Sequence, residues 1–266
     1  MLVEQIAVNN NLRNYMYLLA CPETREAVAI DPLDHATALQ RAEALGWSIR
    51  GVINTHEHHD HIGGNEQVIA ATGATLYAHE AARDKIANVD VGLQAGDAIQ
   101  VGTSFELMAL DTPGHTFCHT CLYFIGKKQE LPALFCGDTL FNAGVGNCHN
   151  GGNPQTMYQT FAEQIFRLPD VTRIYPGHDY IENNLQFTLD REPGNDAARS
   201  LLAAIQQWSS DQHFISNIAM EKLVNTFFRL QSDEVIEGLR TQFSDLSAEP
   251  DAETVFLKLR ELRNQW

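Results

Sequence analysis

The sequence lacks any apolar run approaching the roughly 18 residues needed to cross a bilayer. Its first twenty residues also lack the basic segment followed by an apolar segment that is typical of a secretion signal. The sequence therefore predicts a cytoplasmic protein with no membrane partner.

Basic residues are scarce, with 18 Lys and Arg against 34 Asp and Glu, so the net charge of the 266 residues is −16. A surface this acidic repels phosphate backbones and anionic lipid headgroups, which excludes a general nucleic-acid binder and argues against membrane docking. An anionic small substrate is compatible with this charge only where cationic side chains cluster locally.

Cysteines are few and odd in number: five, at positions 21, 118, 121, 136 and 148. In a chain without an export signal, free thiols are favoured over disulfides. Cys118 and Cys121 form a C-x-x-C pair that has no second pair at zinc spacing. Structural thiols are therefore favoured at this pair, with a metal or redox role as the alternative.

The first 180 residues alternate short apolar runs with turn signals, which favours an α/β domain. Predicted helices cover His35–Leu45, Asn65–Ala71 and Pro154–Leu168. Predicted strands cover Val3–Val8, Tyr15–Ala20, Ala27–Asp31, Gly51–Thr55, Thr75–Ala78, Phe105–Asp111, Cys121–Ile125, Ala133–Cys136 and Val171–Tyr175.

Residues 181–266 show helical periodicity and no convincing strand. Predicted helices cover Asp196–Trp208, Ser232–Phe243 and Asp251–Arg263. We therefore predict two units, an α/β domain of residues 1–180 and a helical domain of residues 181–266, in a monomeric protein.

Four candidate metal-binding side chains lie within residues 54–64, directly after a predicted strand. His56 and His58 are two apart, so an extended backbone points both imidazoles to the same side. Asp60 and His61 follow where the chain turns into a helix, which directs them towards a second point nearby. One tetrahedral zinc needs fewer ligands than this from a single segment.

Three further candidate ligands each follow a predicted strand and lie beside Gly or Pro-Gly, namely His115, Asp138 and His178. Strand ends that meet at one face are common places for binding sites. A single histidine near a turn is usually a surface or hydrogen-bonded residue, which is our interpretation of His35, His59, His79, His119, His149 and His213. A purely structural explanation is disfavoured for the seven-residue pattern.

The pattern H-x-H-x-D-H, followed by Gly-His, Gly-Asp and Gly-His, resembles the metallo-β-lactamase superfamily. Within it, further segments resemble glyoxalase II, the hydroxyacylglutathione hydrolases, over nearly the whole chain. These segments are NYMYL (14–18), AIDP (29–32), GGNE (63–66), GDTLF (137–141), PGHDY (176–180), NNLQF (183–187), EPGN (192–195) and RELRNQW (260–266).

The resemblance implies an αββα sandwich, a helical C-terminal domain and a centre of two divalent metal ions. It implies that one ion is bound by His56, His58 and His115, the other by Asp60, His61 and His178, and that Asp138 bridges both. Zinc is favoured, with iron or manganese as alternatives because they accept the same ligands. The implied nucleophile is a metal-activated water, with Asp60 and Asp138 as the catalytic carboxylates.

The resemblance also implies a glutathione thioester as substrate, such as S-D-lactoylglutathione. Tyr180 and Arg260 match the family's glutathione-binding positions, and Arg263 stands where the family usually has Lys; the two arginines share a helix face. Asn147 stands where the family usually has a cation, so one charge-assisted contact is missing from this site.

Four other functions are alternatives to the thioester hydrolase that the resemblance implies. An iron-dependent persulfide dioxygenase of the same superfamily is the leading one, although it needs neither the second set of ligands nor the helical tail. A β-lactamase is disfavoured by the missing export signal, and a nuclease by the net charge of −16. A non-catalytic metal-binding protein is disfavoured because all seven ligands are present.

Overall fold

The computed structural model describes residues 1–126, 130–209 and 212–266, which form helices packed on both outer faces of two stacked sheets. The predicted αββα fold of the α/β class, with helices at the C-terminal end, is confirmed. The strands are β1 (Leu2–Ala7), β2 (Tyr15–Ala20), β3 (Glu26–Ile30), β4 (Ser48–Ile53), β5 (Thr75–His79), β6 (Val91–Leu93), β7 (Ala98–Val101), β8 (Phe105–Asp111), β9 (Thr120–Phe124), β10 (Ala133–Gly137), β11 (Leu140–Phe141), β12 (Gly144–Val145), β13 (Arg173–Pro176) and β14 (Ser216–Asn217).

The helices begin and end close to the predicted positions where capping residues are present, as at Asp34 and Asp251. They are α1 (His35–Leu45), α2 (His59–Ile62), α3 (Asn65–Thr72), α4 (Pro154–Glu163), α5 (Ile181–Arg191), α6 (Asp196–Ile205), α7 (Ile218–Val224), α8 (Asp233–Gln242) and α9 (Ala252–Arg263). Short 3₁₀ turns cover Glu80–Ala82, Ile165–Arg167 and Thr226–Phe228.

The first sheet has the strand order β1-β2-β3-β4-β5-β6, with parallel pairing from β3 onwards. Strand β2 is buried on both faces and shows the alternation that a pleated strand requires. Met16 and Leu18 pack towards α1 and α3, whereas Tyr17 and Leu19 pack between the two sheets. This strand therefore contributes both to the apolar cluster under α1 and α3 and to the apolar cluster between the two sheets.

The second sheet has the strand order β14-β13-β10-β9-β8-β7. Strands β8 and β10 are each antiparallel to β9, and β13 is parallel to β10. The carboxyl ends of β8, β10 and β13 consequently lie at the same edge. His115, Asp138 and His178 follow these three strand ends.

The helices α4, α8 and α9 cover the outer face of the second sheet, where Phe161 and Phe256 pack near Leu134 and Ile174. The prediction that no strand follows residue 181 was wrong, because Ser216–Asn217 pairs antiparallel with β13. A two-residue strand is too short to show alternation in the sequence. The C-terminal region thus contributes an edge strand to the sheet of the first domain.

Several element boundaries also differ from the prediction. The helix predicted over residues 154–168 ends at Glu163 and continues as a 3₁₀ turn, and the helix predicted to reach Trp208 ends at Ile205. All five cysteines are free, as predicted. In the described ranges, no helix combines the length and apolarity that crossing a bilayer would require.

Candidate metal centre

The segment after β4 turns sharply from strand to helix, and the turn distributes its ligands in two directions. His58 is extended (φ −67°, ψ 144°), and α2 begins at the next residue. Asp60 and His61 therefore lie in a helical turn, as the sequence predicted. Gly64 packs so closely on the loop after β3 that a Cβ would lie 1.9 Å from the carbonyl oxygen of Pro32.

The first cluster consists of three imidazoles whose ring nitrogens converge. Nε2 of His56 lies 3.1 Å from Nδ1 of His58, and Nε2 of His115 lies 3.0 Å from the same atom. His56 and His115 are buried, whereas His58 is half-buried, so the cluster opens to solvent on one side.

The second cluster combines two imidazoles with a carboxylate. Nε2 of His61 lies 3.3 Å from Nε2 of His178. Oδ2 of Asp60 lies 3.5 Å and 3.4 Å from these two nitrogens, respectively.

Asp138 lies between the two clusters. Its Oδ2 atom is 3.6 Å from Nε2 of His115 and 3.2 Å from Nε2 of His178. Its Oδ1 atom is 3.4 Å from Nε2 of His61 and, although buried, has no hydrogen-bond partner within the described residues. A carboxylate in this position faces ligands from both sets.

The other ring nitrogen of each histidine donates a hydrogen bond away from the centre. The acceptors are Thr55 Oγ1 for His56 (3.0 Å), Asn150 O for His58 (2.9 Å), Asp31 Oδ2 for His61 (2.9 Å), Asn147 O for His115 (2.7 Å) and Leu12 O for His178 (2.8 Å). In the neutral imidazoles, with these protons placed outward, all five inward nitrogens carry lone pairs, and a bound cation displaces any second proton.

This donor set fits metal ions. A tetrahedral ion with bonds of ~2.0–2.1 Å needs donor atoms roughly 3.3 Å apart, which is close to the spacings within both clusters. The unpartnered, buried Oδ1 of Asp138 would be costly without a cation. Imidazole and carboxylate are ligands that divalent transition metals accept.

Burial and neighbouring charges shift the pKa values of the side chains in the centre. Burial, and next the nearby His61, hold the pKa of His56 well below its ordinary value. Burial by itself would lower the pKa of His61 as well, but the carboxylates of Asp138 and Asp31 raise it to about 9. Burial would raise the pKa of Asp138, but His178 and His61 hold it well below the usual range. The carboxylate is therefore ionised and ready to bind a cation.

Sequence reasoning missed two residues that support these ligands. The side-chain amide of Asn14 donates to both the carbonyl oxygen and Oδ2 of Asp60, at 3.0 Å each. The backbone N–H of Asp138 donates to Nε2 of His119, whose ring stacks on that of His56. We predicted that His119 is either a surface residue or a hydrogen-bonded one. It is 0% exposed, so the second prediction is correct. Both residues adjoin apolar strands, and Asn14 also begins the segment NYMYL that resembles the family; these were the signals that the sequence offered.

The four residues predicted to bind substrate lie around one pocket of about 240 Å³ beside the centre. Its lining is Phe141, Val145, Asn147, His149, Tyr180, Asn184, Arg260, Arg263 and Asn264. The ring of Tyr180 stacks on that of His178, with centroids 4.8 Å apart. Nη2 of Arg263 donates to Oδ1 of Asn184 (3.3 Å), whereas Arg260 is only 3% exposed.

Solved structures share this fold. ETHE1 from Myxococcus xanthus is 25% identical, with a TM-score of 0.67, and the match covers 98% of this chain and 99% of that one. The protein TTHA1623, in a di-iron-bound form, is 26% identical with a TM-score of 0.55, and the match covers 66% of this chain and 92% of that one.

The family comparisons divide the chain into two parts. Residues 12–178 match the metallo-beta-lactamase superfamily, and residues 179–266 match the hydroxyacylglutathione hydrolase C-terminus.

Relatives named hydroxyacylglutathione hydrolase, from Nitrosococcus oceani and a Polaromonas species, are 57% and 59% identical, and each match covers 100% of both chains. A relative from Arabidopsis thaliana, named hydroxyacylglutathione hydrolase cytoplasmic, is 36% identical, with 85% of this chain and 88% of that relative covered. The resemblance seen in the sequence motifs is thereby confirmed. This chain belongs to the hydroxyacylglutathione hydrolase (glyoxalase II) family of the metallo-β-lactamase superfamily.

Proposed function

We propose that this chain hydrolyses the thioester bond of S-(2-hydroxyacyl)glutathione, for example S-D-lactoylglutathione, during methylglyoxal detoxification. Water and the thioester give glutathione and a 2-hydroxy acid such as D-lactate. The observation that carries the proposal is the pair of ligand clusters on either side of a buried carboxylate, next to a pocket containing two arginines. The full-length relatives named hydroxyacylglutathione hydrolase support it.

We assign two divalent metal ions to this centre. His56, His58 and His115 would hold one ion, and Asp60, His61 and His178 the other, with Asp138 shared between them. Such ions, when bound, supply Lewis acidity and lower the pKa of coordinated water towards neutrality. No Ser-His-Asp triad or cysteine nucleophile is needed.

Asp60 and Asp138 are the proposed catalytic carboxylates. The carboxylate of Asp138 is ionised because its pKa lies well below the usual range. The backbone N–H of the same residue donates a hydrogen bond to Nε2 of His119, which holds the residue in place. Asp60 accepts a hydrogen bond from Asn14, so its side chain is fixed in direction. Fixed carboxylates of this kind orient the reacting water without reorganising during the reaction.

Tyr180 and Arg263 are the proposed contacts for the glutathione carrier, with Asn147 and Arg260 at the same pocket. Burial raises the pKa of Tyr180 to about 12, so its hydroxyl stays protonated and can donate a hydrogen bond. Arg263 supplies the positive charge that a glutathione carboxylate needs in a chain of net charge −16.

We propose zinc as the resident metal, because five imidazoles and two carboxylates suit it. Iron and manganese accept the same ligand types, and the di-iron-bound form of TTHA1623 keeps iron as an alternative. Elemental analysis of protein purified without added metal decides between them.

The test of the proposed function combines metal content with turnover. We expect close to two metal ions per chain and hydrolysis of S-D-lactoylglutathione, both lost after chelation. The alternative is an iron-dependent persulfide dioxygenase. A reproducible single iron, with activity on glutathione persulfide and none on thioesters, would establish that alternative.

We also propose that the chain acts as a cytoplasmic monomer without nucleic-acid partners, divided into domains 1–180 and 181–266. The net charge of −16 and the five free thiols support this assignment. The matched segments 12–178 and 179–266 support the division. Size-exclusion chromatography with light scattering tests the monomer: a mass near 29.7 kDa is expected.

A further inference from the structure

The loop of residues 144–150 contacts two histidines of the first cluster from behind. The carbonyl oxygen of Asn147 accepts the Nδ1–H of His115, at 2.7 Å. The carbonyl oxygen of Asn150 accepts the Nε2–H of His58, at 2.9 Å. These two hydrogen bonds set which ring nitrogen of each histidine faces the centre.

The second cluster is supported by a different part of the chain. His178 donates to the carbonyl oxygen of Leu12, and His61 donates to Asp31. Asn14 donates to Asp60. These acceptors and donors all belong to the first 31 residues, and none belongs to the loop of residues 144–150.

Arg260 of α9 holds the loop behind the first cluster. Its Nη1 donates to the carbonyl oxygens of Val145 (3.1 Å) and Gly146 (2.9 Å), and its Nε donates to Asn264 (3.1 Å). The side chain is buried, and no carboxylate in the described part of the chain lies within ion-pair distance of it. A buried guanidinium needs its hydrogen bonds, so the two carbonyl groups are firmly held partners.

The loop is also pressed against the centre at Gly146. A Cβ at this position would lie 1.9 Å from the carbonyl oxygen of Asp138 and 3.1 Å from Nδ1 of His115. Any shift of the Val145–Gly146 backbone towards the centre would therefore displace Asp138 or His115. The next residue, Asn147, carries the carbonyl group that orients His115.

We propose that Arg260 is a positioning residue for the first metal cluster rather than chiefly a substrate contact. By fixing the carbonyl groups of Val145 and Gly146, it fixes the loop whose following carbonyls orient His115 and His58. The orientation of two histidines of the first cluster thus depends on the C-terminal helical region through this loop, whereas the histidines of the second cluster take their hydrogen bonds from the first 31 residues. The inference deepens the proposed function and rests on its assignment of two metal sites.

The test measures zinc binding directly, on full-length protein stripped of metal, by competition with a chromophoric chelator. Removing a hydrogen-bonding support of a metal ligand typically weakens affinity by ~10–100-fold. We expect Arg260→Ala to raise one zinc dissociation constant by about tenfold or more and to change the other much less, since only Asp138 links the loop to the second cluster. A His58→Ala variant, which lacks one ligand of the first cluster, identifies which constant belongs to that cluster.

Two matched variants separate positioning from other roles. Arg263→Ala removes an arginine one turn away on the same helix, and it should leave both zinc constants unchanged. Arg229→Ala breaks the ion pair with the buried Glu192 in the same helical region, so it should lower the unfolding temperature without changing zinc affinity. Arg260→Lys keeps the charge and should recover part of the lost affinity.

The outcomes distinguish this inference from the proposed function. If Arg260→Ala binds both zinc ions like the wild type and only KM rises, Arg260 is a substrate contact and the inference is overturned. If the wild type fails to cleave thioesters but the selective zinc loss is found, the inference stands and the proposed substrate is wrong. If Arg260→Ala does not fold, Arg260→Lys must show a smaller selective loss, and wild-type constants for it would overturn the inference.

Discussion

Nδ1 of His61 lies 2.9 Å from Oδ2 of Asp31, and the two side chains are 0% and 3% exposed. Asp31 also accepts hydrogen bonds from the backbone N–H and the hydroxyl of Thr55. This carboxylate therefore fixes the ring of one ligand of the second cluster and the chain that leads into the first. Its backbone lies in the left-handed region (φ 48°), which Asp and Asn tolerate better than most residues.

Asp31→Asn should reduce kcat or the zinc affinity of the second cluster by ~10–100-fold, because the charge that orients His61 is removed while the backbone is preserved. The measurement is kcat at saturating substrate together with zinc titration. Asp90→Asn is a suitable control, since Asp90 accepts a backbone N–H from Leu76 and contacts no ligand of either cluster. Wild-type values for Asp31→Asn would show that His61 needs no charged support.

Asp138→Ala should abolish activity and lower the metal content at both clusters, because this side chain faces histidines of both. Metal per chain is measured after extensive dialysis, alongside initial rates. Asp111→Ala, at the carboxyl end of β8 in the same sheet, should keep both ions. Retention of two metals and a near-normal kcat in Asp138→Ala would rule out a shared carboxylate.

Arg263→Ala should raise KM for S-D-lactoylglutathione by about tenfold, for a loss of ~1.4 kcal/mol, and leave kcat unchanged. A contact far from the thioester bond binds ground state and transition state alike, so it affects KM rather than kcat. Arg240, an exposed arginine in the last turn of α8, gives the control variant Arg240→Ala. An unchanged KM in Arg263→Ala would remove this residue from the binding site.

Asn147→Lys should lower KM by about tenfold or more, because it places a cation at a pocket position that lacks one. A hydrogen bond to a charged group contributes ~1.5–3 kcal/mol when well formed. The carbonyl oxygen that His115 uses belongs to the backbone and is kept, but the exposed side chain also accepts the backbone N–H of His149 (3.1 Å), so zinc titration of the variant accompanies the KM measurement. If neither this change nor Arg263→Ala alters KM, glutathione is not the native thiol carrier.

Glu221→Gln should stabilise the protein at pH 8 but not near pH 4. Burial raises the pKa of Glu221 to about 7 from an ordinary value near 4.5. The unfolded chain therefore ionises first, and the free energy of unfolding falls as pH rises from about 4.5 to about 7, by up to ~3 kcal/mol. A neutral amide avoids this loss and can keep the contacts with Ala143, Ser216 and Asn225.

Chemical denaturation of both proteins at pH 5 and pH 8 tests this expectation. Glu237→Gln, on the exposed side of α8, should show no such pH-dependent difference. If the difference in stability between Glu221→Gln and the wild type were the same at both pH values, folding would not raise the pKa of this carboxyl group.

The sequence by itself determined the candidate metal-binding side chains and, through the family resemblance, the αββα fold. His56, His58, Asp60 and His61 lie so close in the chain that backbone geometry alone predicts their directions. His115, Asp138 and His178 each follow an apolar run, and strand ends are positioned by the pairing of the sheet. Motif matching at Tyr180 and Arg263 then indicated the pocket. These features depend on short-range patterns, which a sequence displays directly.

Only the tertiary structure decided which groups support those side chains. Arg260 could have been a solvated residue at a helix end, and its burial against the Val145 and Gly146 carbonyls depends on how α9 packs. The hydrogen bonds from His178 to Leu12 O and from Asp138 to His119 join residues 166 and 19 positions apart. Backbone carbonyl groups are the same at every residue, so the sequence carries no mark of which of them will accept a hydrogen bond. That choice is made by long-range packing.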